Sequence, residues 1–230
     1  MSEALKQTLA LQWKASRWPL LPFVVMAFGL PLAAIRSAVN AEGYEEFGAA
    51  ETLIGTLQNW VPLFPILAAL VGVTLGLAAW SWDHRANHVY ALSLPVTRTR
   101  YVMLKFVTGA ALLLIPTVAV LVSVLLGRAG IDLPEGLHAY PLAFTARFLL
   151  GALIVYALAF ALAAGTMRTA IWMLTGFLAV MLFGGIVVGF LRDAFGMQDL
   201  PTPIELLFTA LVDWPGPFHV FGGNWMPIDV

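Results

Sequence analysis

Asp83, His84 and His88 are the densest group of chemistry-bearing side chains in this chain. On a helix, positions four apart share a face, so both imidazoles would stand beside the carboxylate and could offer donors to a metal ion. A catalytic zinc takes three protein ligands and keeps a fourth position open, whereas the other loops assigned to the same membrane face add no histidine and only Glu3 as a carboxylate. The plainer reading is an interfacial helix that carries two histidines, with Asp83 paired to Arg85 or to a basic residue on a neighbouring helix. A polytopic membrane enzyme acting through Asp83, His84 and His88 stands as the alternative, and a membrane scaffold as a further one. No G-x-x-x-x-G-K-[ST] phosphate loop occurs, so the chain does not cradle nucleotide phosphates in that manner. It has no cysteine, which removes disulfides and thiolate metal sites from consideration.

These residues have to be positioned by an apolar framework. Of 230 residues 60% are hydrophobic and 11% charged, which excludes an ordinary soluble globule. With 12 basic and 13 acidic residues the net charge is −1, so no basic surface is available to hold nucleic acid. Five segments lack Asp, Glu, Lys and Arg altogether: Trp18–Ile35, Thr52–Trp82, Phe106–Gly127, Phe148–Met167 and Thr169–Leu191. Each can cross the roughly 30 Å hydrocarbon core as a helix, the form that satisfies every backbone group within the segment. The expected fold is an all-α polytopic membrane protein, one transmembrane domain over residues 1–230 with five clear spans. Pro31 and Pro116 are expected to bend theirs.

Orientation follows from the basic residues. With the N-terminus cytoplasmic, Lys6, Lys14, Arg17, Arg85, Arg98, Arg100, Lys105 and Arg168 lie inside, leaving Arg36, Arg128, Arg147 and Arg192 outside. Most acidic residues fall outside. Arg98, Arg100 and Lys105 are accounted for by this retention alone, their side chains snorkelling to headgroups. Residues 4–17 read as an amphipathic helix along the inner interface, or as a cytoplasmic extension of the first span. Glu42, Glu45, Glu46 and Glu51 make the first outer loop acidic and solvated. Residues 193–230, divided by prolines, read as outer re-entrant or interfacial helices, because Ile204–Val212 is too short to span.

Within the spans Gly72 and Gly76, and Gly185 and Gly189, are small residues four apart, which favour close helix packing inside the subunit or across a dimer. The polar groups at depth are hydroxyls, including Thr108, Thr117, Ser123 and Tyr156. Formal charges are absent from the spans, which argues against an ion-coupled pump and suits amphipathic or lipid-like cargo.

The longest inner loop joins the second and third spans. Asp83–Leu94 has helical character, Pro95 stops it, and Thr97 or Thr99 can cap the helix that follows. The short helix mixes Arg85, His88, Tyr90, Leu92 and Leu94, more apolar than a solvated loop requires, and so suggests a docking partner. Leu92-Ser93-Leu94-Pro95-Val96-Thr97-Arg98, followed by Tyr101 and Lys105, resembles the type-2 ABC exporter permease family, in which similar residues follow the cytoplasmic coupling helix. The resemblance covers nearly the whole chain. It implies that residues 83–97 are the coupling segment and that Arg85, His88, Tyr90, Leu92, Leu94, Pro95, Val96 and Arg98 meet an ABC ATPase subunit. It also implies a second permease subunit, identical or related, in an inner (cytoplasmic) membrane. No cofactor is expected in this chain, with ATP and Mg bound by the partner ATPase. Family members usually have a sixth span, and this sequence reaches Val230 without another long apolar run. Truncation is the expected reason, the other options being absence of that helix or insertion of Leu206–Val220.

Overall fold

The structure, a computed structural model, describes residues 3–41, 49–85, 97–131, 133–134, 136–165, 167–196, 200–213 and 215–229. Among them, five helical stretches are long and apolar enough to cross a membrane: Leu5–Val39, Ala50–Asp83, Arg98–Ala129, Pro141–Ala164 and Thr175–Phe195. The chain divides into two compact units, Met1–Phe160 with Asn224–Val230, and Ala161–Gly223.

In the first unit α1 runs from Glu3 to Val39 with Pro19, Pro22 and Pro31 inside it. At about 1.5 Å per residue its 37 residues span about 55 Å, more than the hydrocarbon core needs. Residues 4–17 are therefore continuous in backbone with the first span, and Pro31 does not interrupt it. The second apolar segment is divided. A short helix α2 (Ala49–Gln58) is separated from α3 (Leu63–Arg85) by a turn at residues 59–62. Pro62 brings no N–H to a continuing helix, and the turn closes with i→i+3 bonds such as Trp60 N–H to Leu57 O (2.9 Å).

The third span also has two parts, α4 (Arg98–Leu112) and α5 (Leu114–Ala129), joined at Leu113. Pro116 is the cause: it cannot donate to Leu112 O, and its ring crowds that carbonyl. Leu113 N–H instead reaches Ala110 O (3.1 Å). The bend expected from Pro116 is thus a break one turn upstream.

The fourth span, α6 (Pro141–Ala164), packs tightly on α3. A Cβ on Gly72 would lie 2.5 Å from Ala152 O, and one on Gly76 would lie 2.6 Å from Ala159 Cβ, so only glycine permits this approach. These glycines serve packing inside the subunit. Phe64, Leu67, Val71, Leu75, Phe144, Phe148, Ala152 and Tyr156 form the core between these helices, while Ile66, Leu70, Leu77, Leu150 and Leu158 point outward as a lipid-facing surface.

A two-stranded ladder closes this unit. β1 (His138–Ala139) pairs antiparallel with β2 (Ile228–Asp229) in the register His138 to Asp229, and Tyr140 N–H donates to Pro227 O (3.0 Å). Beside it Trp225 is buried against Phe144, edge to face, and beneath the Arg147 guanidinium (5.2 Å). Arg147 also donates to Asn224 O (2.5 Å). Residues 130–140 follow the third crossing and residues 224–229 follow the fifth. Two crossings between them return the chain to the same side, as the ladder requires.

The second unit holds α7 (Met167–Phe195), α8 (Pro203–Val212) and a 3₁₀ turn (Pro217–Phe221). A capping box at Thr202 and Glu205, with Pro203 in the first helical turn, starts α8. A Cβ on Gly184 would collide with the Pro203 ring, so α8 begins alongside a point about 12 Å back from Arg192 along α7. Its first turn therefore lies against α7. Arg192 anchors the connection by donating from Nε to Leu200 O (2.9 Å) and lies 3.5 Å from the Glu205 carboxylate. Gly185 and Gly189 have no described atom within 4 Å of an added Cβ.

Candidate functional site

The loop that the sequence singles out leaves α3 at Arg85 and enters α4 at Arg98. His88, Tyr90, Leu92, Leu94, Pro95 and Val96 lie outside the described residues, as do the side chains of His84 and Arg85. Arg98 is exposed in the first turn of α4. Thr97 occupies the N-cap position with extended backbone, but its side chain makes no capping bond.

What the structure does describe is the base on which this loop stands. Asp83, in the last turn of α3, is buried, and its Oδ2 lies 2.6 Å from Lys105 Nζ on the second turn of α4. The Tyr101 hydroxyl donates to the same carboxylate, 2.9 Å from Oδ1 and 3.1 Å from Oδ2. Lys105 is buried as well, so its charge is neutralised in place and does not snorkel to headgroups. The retention argument accounts for the side of the membrane on which Lys105 lies, and the tertiary fold decides what the ammonium does there.

The ammonium's donors are accounted for. One reaches Asp83 and another reaches Ala79 O (2.8 Å), while the Trp80 ring (4.5 Å) and the Tyr101 ring (5.0 Å) present their negative faces to the remaining charge. Trp80 is fixed in turn by its indole N–H on Phe160 O (3.0 Å). A buried ion pair offsets its desolvation only when its remaining lone pairs and protons are satisfied, and here they are.

A second polar tie joins α1 to the same place. Gln12 is buried; its amide donates to Lys105 O (2.9 Å), and its carbonyl accepts from the Thr108 hydroxyl (2.7 Å). Ser16, also buried, donates back to Gln12 O (2.8 Å). Leu11 and Trp13 on the same stretch are exposed, so this helix puts its polar face inward and its apolar face out. From α6 the Tyr156 hydroxyl donates to Phe106 O (2.9 Å) and fits where Gly109 has no side chain.

Asp83 is legible as an ion-pair partner, and the structure pairs it with the neighbouring-helix lysine, while the Arg85 side chain lies outside the described residues. Its carboxylate is thereby committed to Lys105 and Tyr101, and no cluster of three metal-ligating side chains occurs among the described residues. Gln12, Thr108 and Tyr156 were not assigned to the site. The only sequence hint at Gln12 is an amide between Leu11 and Trp13 on an otherwise lipid-seeking helix.

The arrangement fastens the last turn of α3 to the first turns of α4, on either side of residues 86–96. Against known proteins, a family model described as ABC-2 family transporter protein matches residues 51–212, well over half the chain and including that loop. No curated protein and no solved structure matches the chain.

Proposed function

The chain belongs to the ABC-2 family of transporter proteins, and from that premise we propose that it is the permease subunit of an exporter driven by separate ATPase subunits. It is a multi-pass membrane protein of a transport family, and the finer steps are our reading. ATP, with Mg, binds the partner ATPase, and the permease receives the resulting stroke at residues 83–97. Two permeases pair, and each coupling segment rests on one ATPase. The stroke rocks the spans between inward-open and outward-open forms. The N-terminus lies in the cytoplasm, and the membrane is the inner, cytoplasmic one, as the distribution of Lys and Arg suggests. Cargo of amphipathic or lipid-like character suits spans that carry almost no formal charge.

The observation that carries the reading is the family match across residues 51–212, with a loop inside it whose two ends are held together by a buried ion pair. A stroke delivered to such a loop moves α3 and α4 together. The test is purification from native membranes in mild detergent with mass spectrometry of the co-purifying chains. A stoichiometric partner with a phosphate-loop ATPase motif is expected, and Leu94→Asp is expected to lose it. Reproducible absence of such a partner from the folded wild-type protein would overturn the proposal.

A further inference from the structure

We infer that Gln12 ties the first turns of α1 to the base formed by Asp83, Tyr101 and Lys105, so that movement of residues 83–97 is delivered to the first span as well as to the second and third. This rests on the coupling reading above. The chain itself gives no direct path from the loop to α1, since residues 40–62 and the whole of α3 intervene. The spatial path is short. Gln12 uses both ends of its amide on α4: its acceptor, Lys105 O, is the carbonyl of the residue whose ammonium holds Asp83, and its donor, Thr108 Oγ1, stands one turn further along the same helix.

Apolar contact is non-directional and lets helices slide, whereas hydrogen bonds at both ends of one amide fix register along and around the axis. A buried position without competing water keeps such a tie in place. Burial of Gln12 and Ser16, with Leu11 and Trp13 facing out, is what a helix selected for this contact requires. Gln12 is a positioning residue in this scheme: it touches neither nucleotide nor cargo.

The absence of cysteine makes engineered thiols unique within this chain, and the ATPase is used in a cysteine-free form. Spin labels at Leu11→Cys and Met103→Cys, both exposed in the wild type, report the distance between α1 and α4 in the ATPase complex in nanodiscs. In a second preparation a membrane-impermeant maleimide reads the reactivity of Asn40→Cys at the far end of α1, with and without a non-hydrolysable ATP analogue. The expected results are a narrow label distribution that does not change with nucleotide, and a nucleotide effect on Asn40→Cys labelling of roughly threefold or more. Gln12→Met, unbranched and close in volume, should broaden the first and abolish the second while the ATPase still co-purifies and hydrolyses ATP. Thr108→Val, which removes the donor to the Gln12 carbonyl along with the hydroxyl's contacts to Leu104 O (2.7 Å) and Lys105 O (3.2 Å) in its own helix, should act in the same direction and keeps the test open if Gln12→Met folds poorly. Wild-type behaviour of both variants in the intact complex overturns this inference alone. A wild-type chain that brings down no ATPase overturns the coupling reading and the inference with it.

Discussion

Lys105 shows how far one side chain's role depends on its neighbours. With Asp83 present it is half of a neutral, saturated cluster. Without Asp83 it is a buried cation whose solvation has no replacement, and removing one partner of such a pair costs about 3–5 kcal/mol. Asp83→Asn is therefore expected to lower the thermal unfolding midpoint in nanodiscs markedly, and Asp83→Asn with Lys105→Met to recover much of the loss, because the stranded charge is then gone. Tyr101→Phe leaves the ion pair and should cost only about 0.5–1.5 kcal/mol. Glu205 gives the residue-scale pH effect. The backbone N–H of Thr202 foremost, with Arg192 nearby, holds its carboxyl below the ordinary value. A depressed carboxyl stabilises above the unfolded value and loses that contribution as pH falls through the folded value. The protection of α8 amides, exchange measured against the intrinsic rate at each pH, is expected to fall on acidification through the carboxylate range, and Glu205→Gln to weaken that dependence.

At the scale of the helices, the close approach of α3 and α6 is set by backbone touching backbone. Gly72→Leu would drive a side chain into Ala152 O and the Tyr156 amide, so severe loss of folded protein is expected by fluorescence-detected size exclusion. Gly189→Leu meets open space and should leave the fold of the isolated chain intact. The pairs look alike in sequence, and the contrast separates glycines that touch a neighbouring helix from glycines with no described atom beside them. Pro116→Ala should restore the missing donor to Leu112 O and heal the break at Leu113. The expected readout is slower amide exchange around residues 112–117, where the Thr117 hydroxyl already covers Leu113 O (2.7 Å).

For the molecule as a whole, the ladder between β1 and β2 constrains topology in a way hydropathy does not. It demands that the loop after the third span and the segment after the fifth share one side. Single cysteines at His138 and Pro215 should react with an impermeant maleimide from the same face of sealed vesicles, and one at Arg100 from the other. Trp225→Ala removes the buried ring that seats the tail on Phe144 and Arg147, and should expose residues 224–229 to protease while leaving the five spans in place.

The apolar runs by themselves determined that five helices cross a membrane, since hydrocarbon leaves the backbone no other solution over such lengths. Pro116 marked the disturbance in the third span, the division of the second at residues 59–62 was not read, and the LSLPVTR segment pointed to the family. The same sequence left open which small-residue pair packs within the subunit, because glycine spacing is identical in a paired face and a free one. It gave Asp83 a choice of cations and gave Lys105 only a side of the membrane. Nothing local tied Gln12 to residues 93 and 96 positions away, or the tail to a loop nearly ninety residues earlier. Those pairings depend on which helix faces meet, a long-range outcome that only the folded bundle decides.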